Sequence, residues 1–431
     1  MNSEVKIAIR HGRVIDPASG VDQVRDLFIG DGLLVAMDTP PANYQVEREI
    51  DATGLVLCPG LVDLCARLRE PGFEYKATLE SELRAAVAGG VTSVVCPPDT
   101  DPPLDEPGLV DMLKARARRL HLAEVLPIGA LTQGLKGMRL TEMAELRDAG
   151  CIAFGQANYP LDDKLVLLRA LQYASTFALG VWLRPQDSSL SQGGVAHDGE
   201  VATRLGLPPI PASAETVALS AILLLARETG ARVHICRISC ADSVNMIRRS
   251  KVDGLNVTCD VAATHIHLSE RDIGYFDTNC YLIPPLRTQS DRDALRSGLA
   301  DGTIDAICSD HTPVDEDQKQ IPFGESEPGA TGLELLLPLT LKWAQETGTA
   351  LKDALARITI EPARVLGLDT GRLQVGRPAN LCVFDPSHSQ AVIPSHFSSQ
   401  GRNTPFAGRV LPGQVRYTLV NGRLVYQHPT L

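Results

Sequence analysis

The middle of the chain alternates between two apolar patterns. Residues 91–95, VTSVV, carry no charge and hold three valines, a composition that is typical of a strand buried on both faces. Residues 78–88 instead carry the helical spacing of apolar positions. The same alternation predicts helices at 141–149, 162–174, 214–229 and 291–300, and strands at 150–154, 181–183, 232–235 and 304–308. Repeated helix–strand units predict a (β/α) barrel or an open, doubly wound parallel sheet.

Both ends of the chain have a β-rich pattern instead. Residues 5–9 and 26–30 read as strands, split by turn signals at Gly12 and at Asp16-Pro17. Residues 380–384 and 417–422 repeat this pattern near the C-terminus. We therefore predict that the two ends form β structure and pack together.

Charge and composition narrow the classes of function. The 431 residues are 44% hydrophobic and carry 41 basic against 52 acidic side chains, a formal net charge of −11. This balance disfavours binding to nucleic acid or to anionic membranes, because both need a basic surface. The longest apolar run, residues 218–226, is too short to span a bilayer, and residues 1–10 lack the apolar core of a signal peptide.

The ten cysteines are scattered and form no CxxC pair, so we expect reduced core thiols in a cytoplasmic protein. Neither a GxGxxG nor a GxxxxGK[ST] sequence occurs, so nothing supports nucleotide binding.

A series of motifs extends over nearly the whole chain. They include CPGLVD at 58–63, LREPG at 68–72, GEVATRLGLP at 199–208, VHIC at 233–236, PPLR at 284–287 and SDHTP at 309–313. In this order they resemble the dihydroorotases, metal-dependent enzymes of the amidohydrolase superfamily. The resemblance implies a (β/α)8 TIM-like barrel over residues 56–370. It also implies a small β-sandwich domain built from both termini, residues 1–55 and 371–431.

The chemistry that the resemblance implies depends on a zinc site. In the family, zinc polarises an amide carbonyl and activates water, while an aspartate after the last strand moves protons. That aspartate is retained here as Asp310. The positions that match the family's metal ligands hold Cys65, Arg67, Gln156, Ala157, Arg184 and Arg237.

These replacements predict that the metal site is lost and that Asp310 is vestigial. A thiolate such as that of Cys65 can bind zinc, but a guanidinium has no lone pair to offer. Three cations would also repel a divalent ion. Positions that read the substrate have changed as well, to Asp99, Ile283 and Val314, whereas the family's substrate-binding arginine remains as Arg69.

Two interpretations of the arginines remain open. In the first, Arg67, Arg184 and Arg237 pair with carbonyl groups and with Asp99, Asp187 and Asp310, and so fill the former cavity. In the second, they form with Arg69 an anion pocket, because guanidinium groups suit carboxylate or phosphate.

The resemblance and the lost ligands together predict a catalytically inactive dihydroorotase homologue without a cofactor. In this family a noncatalytic chain associates with aspartate carbamoyltransferase, which implies a structural subunit that supports assembly or activity of that enzyme in pyrimidine synthesis. We expect the chain also to dimerise. Two alternatives remain: an active cyclic amidohydrolase with one metal on Cys65 and His265 or His267, and an anion-sensing regulatory subunit.

Overall fold

The protein combines a parallel barrel with a sheet made from both ends of the chain. A computed structural model describes residues 5–429. The strands are β1 Ile7–Asp16, β2 Val21–Gly30, β3 Leu33–Met37, β4 Arg48–Asp51, β5 Val56–Pro59, β6 Leu61–Asp63, β7 Val91–Cys96, β8 Glu124–Ala130, β9 Ala153–Gly155, β10 Gly180–Leu183, β11 Ala196–His197, β12 Pro209–Ile210, β13 Arg232–Ile235, β14 Val257–Ala262, β15 Ala306–Cys308, β16 Leu381–Ala391, β17 Val410–Val420 and β18 Arg423–Gln427.

Helices occupy the connections between the barrel strands. They are α1 Leu79–Ala88, α2 Pro107–Leu120, α3 Met143–Ala149, α4 Lys164–Thr176, α5 Ser188–Ser191, α6 Glu200–Leu205, α7 Ser213–Thr229, α8 Ala241–Val252, α9 Gln289–Ala300, α10 Leu336–Thr347, α11 Leu351–Ala356 and α12 Ile360–Leu366. Short 3₁₀ helices lie at Gln133–Leu135, Glu270–Ile273, Thr278–Cys280, Glu316–Lys319, Leu333–Leu335 and Pro394–His396.

The central sheet confirms the predicted (β/α)8 barrel. Its eight strands follow the order β15-β14-β13-β10-β9-β8-β7-β6, and their pairings are parallel. The two end strands meet beyond their hydrogen-bonded ladders, where Ala66 bridges to His311. The buried carboxylate of Asp63 strengthens this seam, because it accepts hydrogen bonds from the backbone N–H and the hydroxyl of Ser309. The barrel is therefore closed by side chains as well as by backbone.

Local sequence explains where the elements begin and end. Thr78 caps α1 in a capping box with Ser81, and Gly230 ends α7 with a φ of 66° that favours glycine. All six side chains of β7 are buried, as its uncharged, valine-rich sequence predicted. The helices predicted from apolar spacing correspond to α1, α3, α4, α7 and α9.

The second sheet joins the two chain ends. Its order is β18-β17-β16-β5-β1-β2-β3, with β4 beside β1, and its apolar core includes Ile9, Leu27 and Leu381. This arrangement is consistent with the predicted β-sandwich. Because β5 pairs with β1 and β16, the terminal sheet extends four residues past the predicted boundary at residue 55. Residues 1–4 and 430–431 of the predicted domain lie outside the described residues.

Gly12 does not end the first strand, contrary to the turn expected there. It lies inside β1, where the pairing with β2 shifts after Ile9. A Cβ atom at this position would lie 2.1 Å from Leu57 Cδ1, so close packing requires the glycine. The predicted turn is instead a β-bulge.

Within residues 5–429, no helix combines the length and the apolar character needed to cross a membrane.

A buried carboxylate links the barrel seam to the C-terminal segment. Glu82 in α1 accepts hydrogen bonds from the Ser399 hydroxyl at 2.7 Å and from the Gln400 N–H at 3.0 Å. His311 donates to Glu82 through Nε2, because its Nδ1 accepts the N–H of Gly332 at 3.0 Å. Burial raises the pKa of Glu82, but the bonds from His311 and Ser399 outweigh it and lower that pKa below its usual range.

We predict that Glu82→Gln lowers the free energy of unfolding by about 3 kcal/mol at pH 7, because donors that face a carboxylate then face an amide. Since folding lowers the pKa of Glu82, its contribution is present above the ordinary value of 4.5 and is lost as pH falls below it. Urea unfolding at several pH values measures the difference, which we expect to shrink in acid.

Glu80→Gln is the matched control, because Glu80 lies on the exposed face of the same helix and pairs with Arg84. An equal loss of stability for both variants, or a difference that does not depend on pH, would contradict this role of Glu82.

Candidate functional site

The positions that the sequence analysis matched to the family's metal ligands meet at one end of the barrel. In a (β/α)8 barrel the carboxyl ends of all strands point to the same face, where side chains from distant parts of the sequence converge. Cys65 and Arg67 follow β6, Gln156 and Ala157 follow β9, Arg184 follows β10, Arg237 follows β13, and Asp310 follows β15. We call this end of the barrel the mouth.

The backbone at the mouth is strained at four of these strand ends. Arg69, Ala157, Arg237 and Asp310 have φ values of 63°, 50°, 52° and 48°. L-residues rarely adopt this left-handed region, and each such residue costs of the order of 1 kcal/mol. The packing of the barrel therefore holds these turns in place, and they direct the side chains across the mouth.

Asp310 is the centre of an ion cluster. Its Oδ1 atom accepts hydrogen bonds from Arg237 Nη1 at 2.6 Å and from Arg67 Nη1 at 3.4 Å. Arg67 also donates from Nε to Asp99 Oδ2 at 2.7 Å. Cys65 Sγ lies 3.5 Å from the same Asp310 oxygen. Both guanidinium groups are buried, with 5% and 3% of the Arg67 and Arg237 side chains exposed.

The surroundings favour the charged forms of Asp99 and Arg237 and the neutral form of the Cys65 thiol. Burial raises the pKa of Asp99, but the charge and the hydrogen bond of Arg67 outweigh it and hold that pKa below its usual range. Burial lowers the pKa of Arg237, whereas the charge of Asp310 raises it well above its usual value overall. Burial raises the pKa of the Cys65 thiol, which keeps it protonated. The cluster therefore presents N–H donors and positive charge, where a divalent metal needs lone pairs and negative charge.

Arg184 is held differently from the other two arginines. Its Nη2 donates to the backbone oxygen of Asn158 at 2.7 Å, and the side chain of Asn158 accepts from Arg237 Nη2 at 2.9 Å. The prediction that Asp187 pairs with an arginine was wrong. Its carboxylate instead caps α5, where it accepts the Leu190 N–H at 3.0 Å. An aspartate before a helix satisfies free backbone N–H groups, which here outweighs pairing with the arginine.

Two other predicted positions make contacts of their own at the mouth. Arg69 donates from Nε to the Pro313 oxygen at 2.8 Å and contacts Glu327 at 3.3 Å. Gln156 accepts the Thr132 hydroxyl at 2.9 Å and donates to the Leu135 oxygen, so it fixes the loop after β8. Ala157 carries no polar side chain.

The histidines of the alternative metal site are not brought together with Cys65. His265 uses both ring nitrogens, one with the Thr264 hydroxyl and one with the Pro284 oxygen. His267 donates to the Leu339 oxygen in α10 and packs against Phe406. His265 and His267 are two residues apart, which would place them on the same face of a strand. They lie in the turns after β14 instead, where this spacing does not bring them to one face.

One cluster in the described chain has the composition of a metal site. The ligand atoms of His234, Cys236 and Asp260 lie within 4.8 Å of one another. However, His234 already contacts Thr258 at 2.8 Å and Asp260 at 3.0 Å, and Asp260 also accepts the Arg237 N–H at 2.6 Å. Burial raises the pKa of the Cys236 thiol well above its usual value. This cluster is thus a hydrogen-bonded support for the strand that carries Arg237.

Several residues that make contacts at the mouth were not predicted from the sequence. Asn158 joins Arg184 to Arg237, and Glu327 contacts both Arg69 and Lys76. Asn403, from the C-terminal segment, donates to the Thr312 and Gly329 oxygens at 3.0 Å each. Asn158 follows the predicted position Ala157 directly, so a polar residue beside a strand end was an available signal. Glu327 and Asn403 carry no such signal.

Comparisons with known proteins agree with this architecture. The family model described as "Dihydro-orotase-like" matches residues 54–243, and the "Amidohydrolase family" model matches residues 195–425. A "Dihydroorotase-like protein" of Pseudomonas aeruginosa is 46% identical over 98% of this chain and 99% of its own length. A "Dihydroorotase" of Syntrophotalea carbinolica is 41% identical over 98% and 99% of the two chains.

Solved structures of other proteins share the fold. The L-hydantoinase of Arthrobacter aurescens superimposes with a TM-score of 0.88 at 23% identity, covering 98% of this chain and 96% of its own. The D-hydantoinase of Bacillus sp. AR9 gives 0.82 at 21% identity, covering 98% and 95%. The barrel and its mouth thus define an amidohydrolase-type protein. Within that class, the chain belongs to the dihydroorotase-like family.

We predict that Asp310→Asn lowers the free energy of unfolding by about 3 kcal/mol, because it removes the shared carboxylate and leaves two buried guanidinium groups without it. Chemical denaturation of the variant measures this loss. Asp148→Asn is the control, since Asp148 is exposed and pairs only with its neighbour Arg147. A variant at Asp310 that is as stable as this control would show that the ion cluster does not stabilise the barrel.

Proposed function

We propose that this chain is a catalytically inactive dihydroorotase homologue that serves as a structural subunit of aspartate carbamoyltransferase in pyrimidine synthesis. The observation that carries the proposal is the convergence of Arg67 and Arg237 on Asp310. In the family the corresponding positions hold metal and the catalytic aspartate. Here the two guanidinium groups share the Asp310 carboxylate as their common partner.

The charge of the mouth supports the absence of a metal. At an effective dielectric constant of about 20, a divalent ion close to a guanidinium group is repelled by several kcal/mol. Arginine stays protonated and offers only donors, so neither Arg67 nor Arg237 can bind such an ion. These residues therefore do not fit a zinc ion.

The preserved barrel and an apolar outer face support a role in assembly. The helices α4 and α7 pack side by side, and we call the outer surface of the two helices the α4–α7 face. Four large apolar side chains of these helices and their ends are exposed: Leu165, Phe177, Val217 and Leu224. Contiguous exposed apolar surface often marks protein–protein contacts. We propose that this α4–α7 face takes part in dimerisation or in the contact with the transferase, in a cytoplasmic complex.

The relatives carry two kinds of name. Relatives from Pseudomonas aeruginosa and Pseudomonas putida are called "Dihydroorotase-like protein", whereas relatives at 41% identity are called "Dihydroorotase". An active enzyme with a different site is therefore the competing function.

We expect substoichiometric zinc and no hydrolysis of dihydroorotate when the chain is produced with zinc and purified without chelator. Metal analysis and an ultraviolet assay of ring opening measure both properties. The Syntrophotalea carbinolica relative, prepared in the same way, serves as the comparison. Near-stoichiometric zinc together with turnover would overturn the proposed inactivity and favour the enzyme.

We also expect the chain to co-elute with aspartate carbamoyltransferase of the same organism in size-exclusion chromatography with light scattering. Transferase turnover, followed across the fractions, should coincide with one large particle. Separate elution of the two proteins, with a fully active free transferase, would contradict the proposed structural role.

The contribution of the α4–α7 face can be tested in the same experiment. Leu224→Arg places a charge in the middle of this face and should weaken the assembly at least tenfold, because an apolar contact is then lost. Val252→Arg is the control, since Val252 is 83% exposed at the end of α8. Equal assembly of both variants would exclude this face from the interface.

A further inference from the structure

The charges at the mouth do not balance. Arg67, Arg184 and Arg237 bring three guanidinium groups together, whereas Asp99 and Asp310 supply two carboxylates. Both carboxylates contact Arg67 or Arg237. Across residues 5–429, Arg184 is paired with no carboxylate within ion-pair distance, and its recorded hydrogen bond goes to a backbone oxygen. One positive charge is therefore left without a partner of opposite sign.

A further carboxylate near Arg184 is already engaged. Glu215 accepts the Ser239 N–H at 3.0 Å and the Ser239 hydroxyl, and it lies 4.0 Å from Arg287. Arg287 in turn donates to the Ile210 oxygen at 2.7 Å. The charge of Glu215 raises the pKa of Arg184, but burial and the charge of Arg237 outweigh it and lower that pKa overall.

The arginines of the mouth also keep buried nitrogen atoms without hydrogen-bond partners. These atoms are Arg67 Nη2, Arg184 Nε and Arg237 Nε. The side chains of Arg67 and Arg237 are more than nine-tenths buried. A buried N–H without an acceptor is unfavourable, so three of them within one ion cluster indicate a missing acceptor.

The three guanidinium groups are neighbours. Arg67 and Arg237 share the Oδ1 atom of Asp310, and Arg237 and Arg184 share the residue Asn158. The repulsion that results is visible at Arg184, where burial and then the charge of Arg237 lower the pKa of the guanidinium. A negative group bound between them would relieve both the repulsion and the unmet hydrogen bonds.

A cleft gives access from outside. It has a volume of about 60 Å³ and is lined by Arg184 together with Gln186, Tyr281, Ile283 and Arg287. Arg184 is half-buried and is the one of the three arginines that lines this cleft. A space of this size accepts an ion of a few atoms, not a peptide or a nucleotide chain.

We propose that the mouth binds a small oxyanion, a carboxylate or a phosphate, through the free N–H groups of Arg184 and Arg237. A planar guanidinium presents N–H donors in a fork that matches both kinds of oxyanion. The single uncompensated charge suits a ligand that brings one or two negative charges. The site lies at former ligand positions of the family, so it is a replacement of the metal centre by an anion site. It does not depend on the proposed association with the transferase.

Isothermal titration of the full chain with inorganic phosphate and, separately, with succinate tests the proposal. Sodium chloride at the same ionic strength is the reference in each arm. We expect saturable binding of phosphate or of succinate to the unmodified chain, and the arm that binds tells which oxyanion the site prefers. Arg184→Gln should weaken that binding at least tenfold, because it removes the charge that faces the cleft.

Two further variants keep the test interpretable. Arg184→Lys retains the charge without the fork and should bind with intermediate affinity. Arg169→Gln removes an exposed charge of α4 and should bind like the unmodified chain. Circular dichroism verifies folding of each variant, which we expect to be retained because Arg184 makes one recorded hydrogen bond. No saturable binding of either anion, or equal affinity of Arg184→Gln and the unmodified chain, overturns the proposal.

Discussion

Buried positive charge is the constraint on which the mouth of this barrel depends. One oxygen of Asp310 accepts hydrogen bonds from both Arg67 and Arg237, and Asp99 supplies the second carboxylate. A guanidinium taken out of water is expensive unless it is paired and hydrogen-bonded. The loops around the mouth meet this need. They supply acceptors for the guanidinium groups, or residues that hold such acceptors in place.

The same constraint connects the mouth to the C-terminal segment. Asn403 holds the Thr312 oxygen, and the Thr312 hydroxyl accepts from Arg67 at 3.0 Å. One residue earlier in the barrel loop, His311 is tied to Glu82, which in turn binds Ser399. The terminal segment therefore stabilises the barrel loop that carries Asp310.

A barrel can persist when its chemistry changes, because packing and function use different residues. The strand interiors remain buried, as all six residues of β7 show. The changes are concentrated at the strand ends, where a side chain faces the mouth and not the core. Such a division allows the fold to be kept while the site is rebuilt, so function has to be argued from the site.

The sequence by itself determined the repeated helix–strand units, since apolar periodicity reports local burial, and a family resemblance then selected the barrel among the folds that such units allow. It also identified Arg67, Arg184 and Arg237 as residues of one site, through a family resemblance that supplied their positions. Only the tertiary structure decided their partners. Asp187 was expected to pair with the arginines and instead caps α5, while Glu327 and Asn403 form contacts that no spacing indicates. The physical reason is that hydrogen-bond partners are chosen by distance in space, and chain separations as large as that between Arg69 and Glu327 leave no periodic signal.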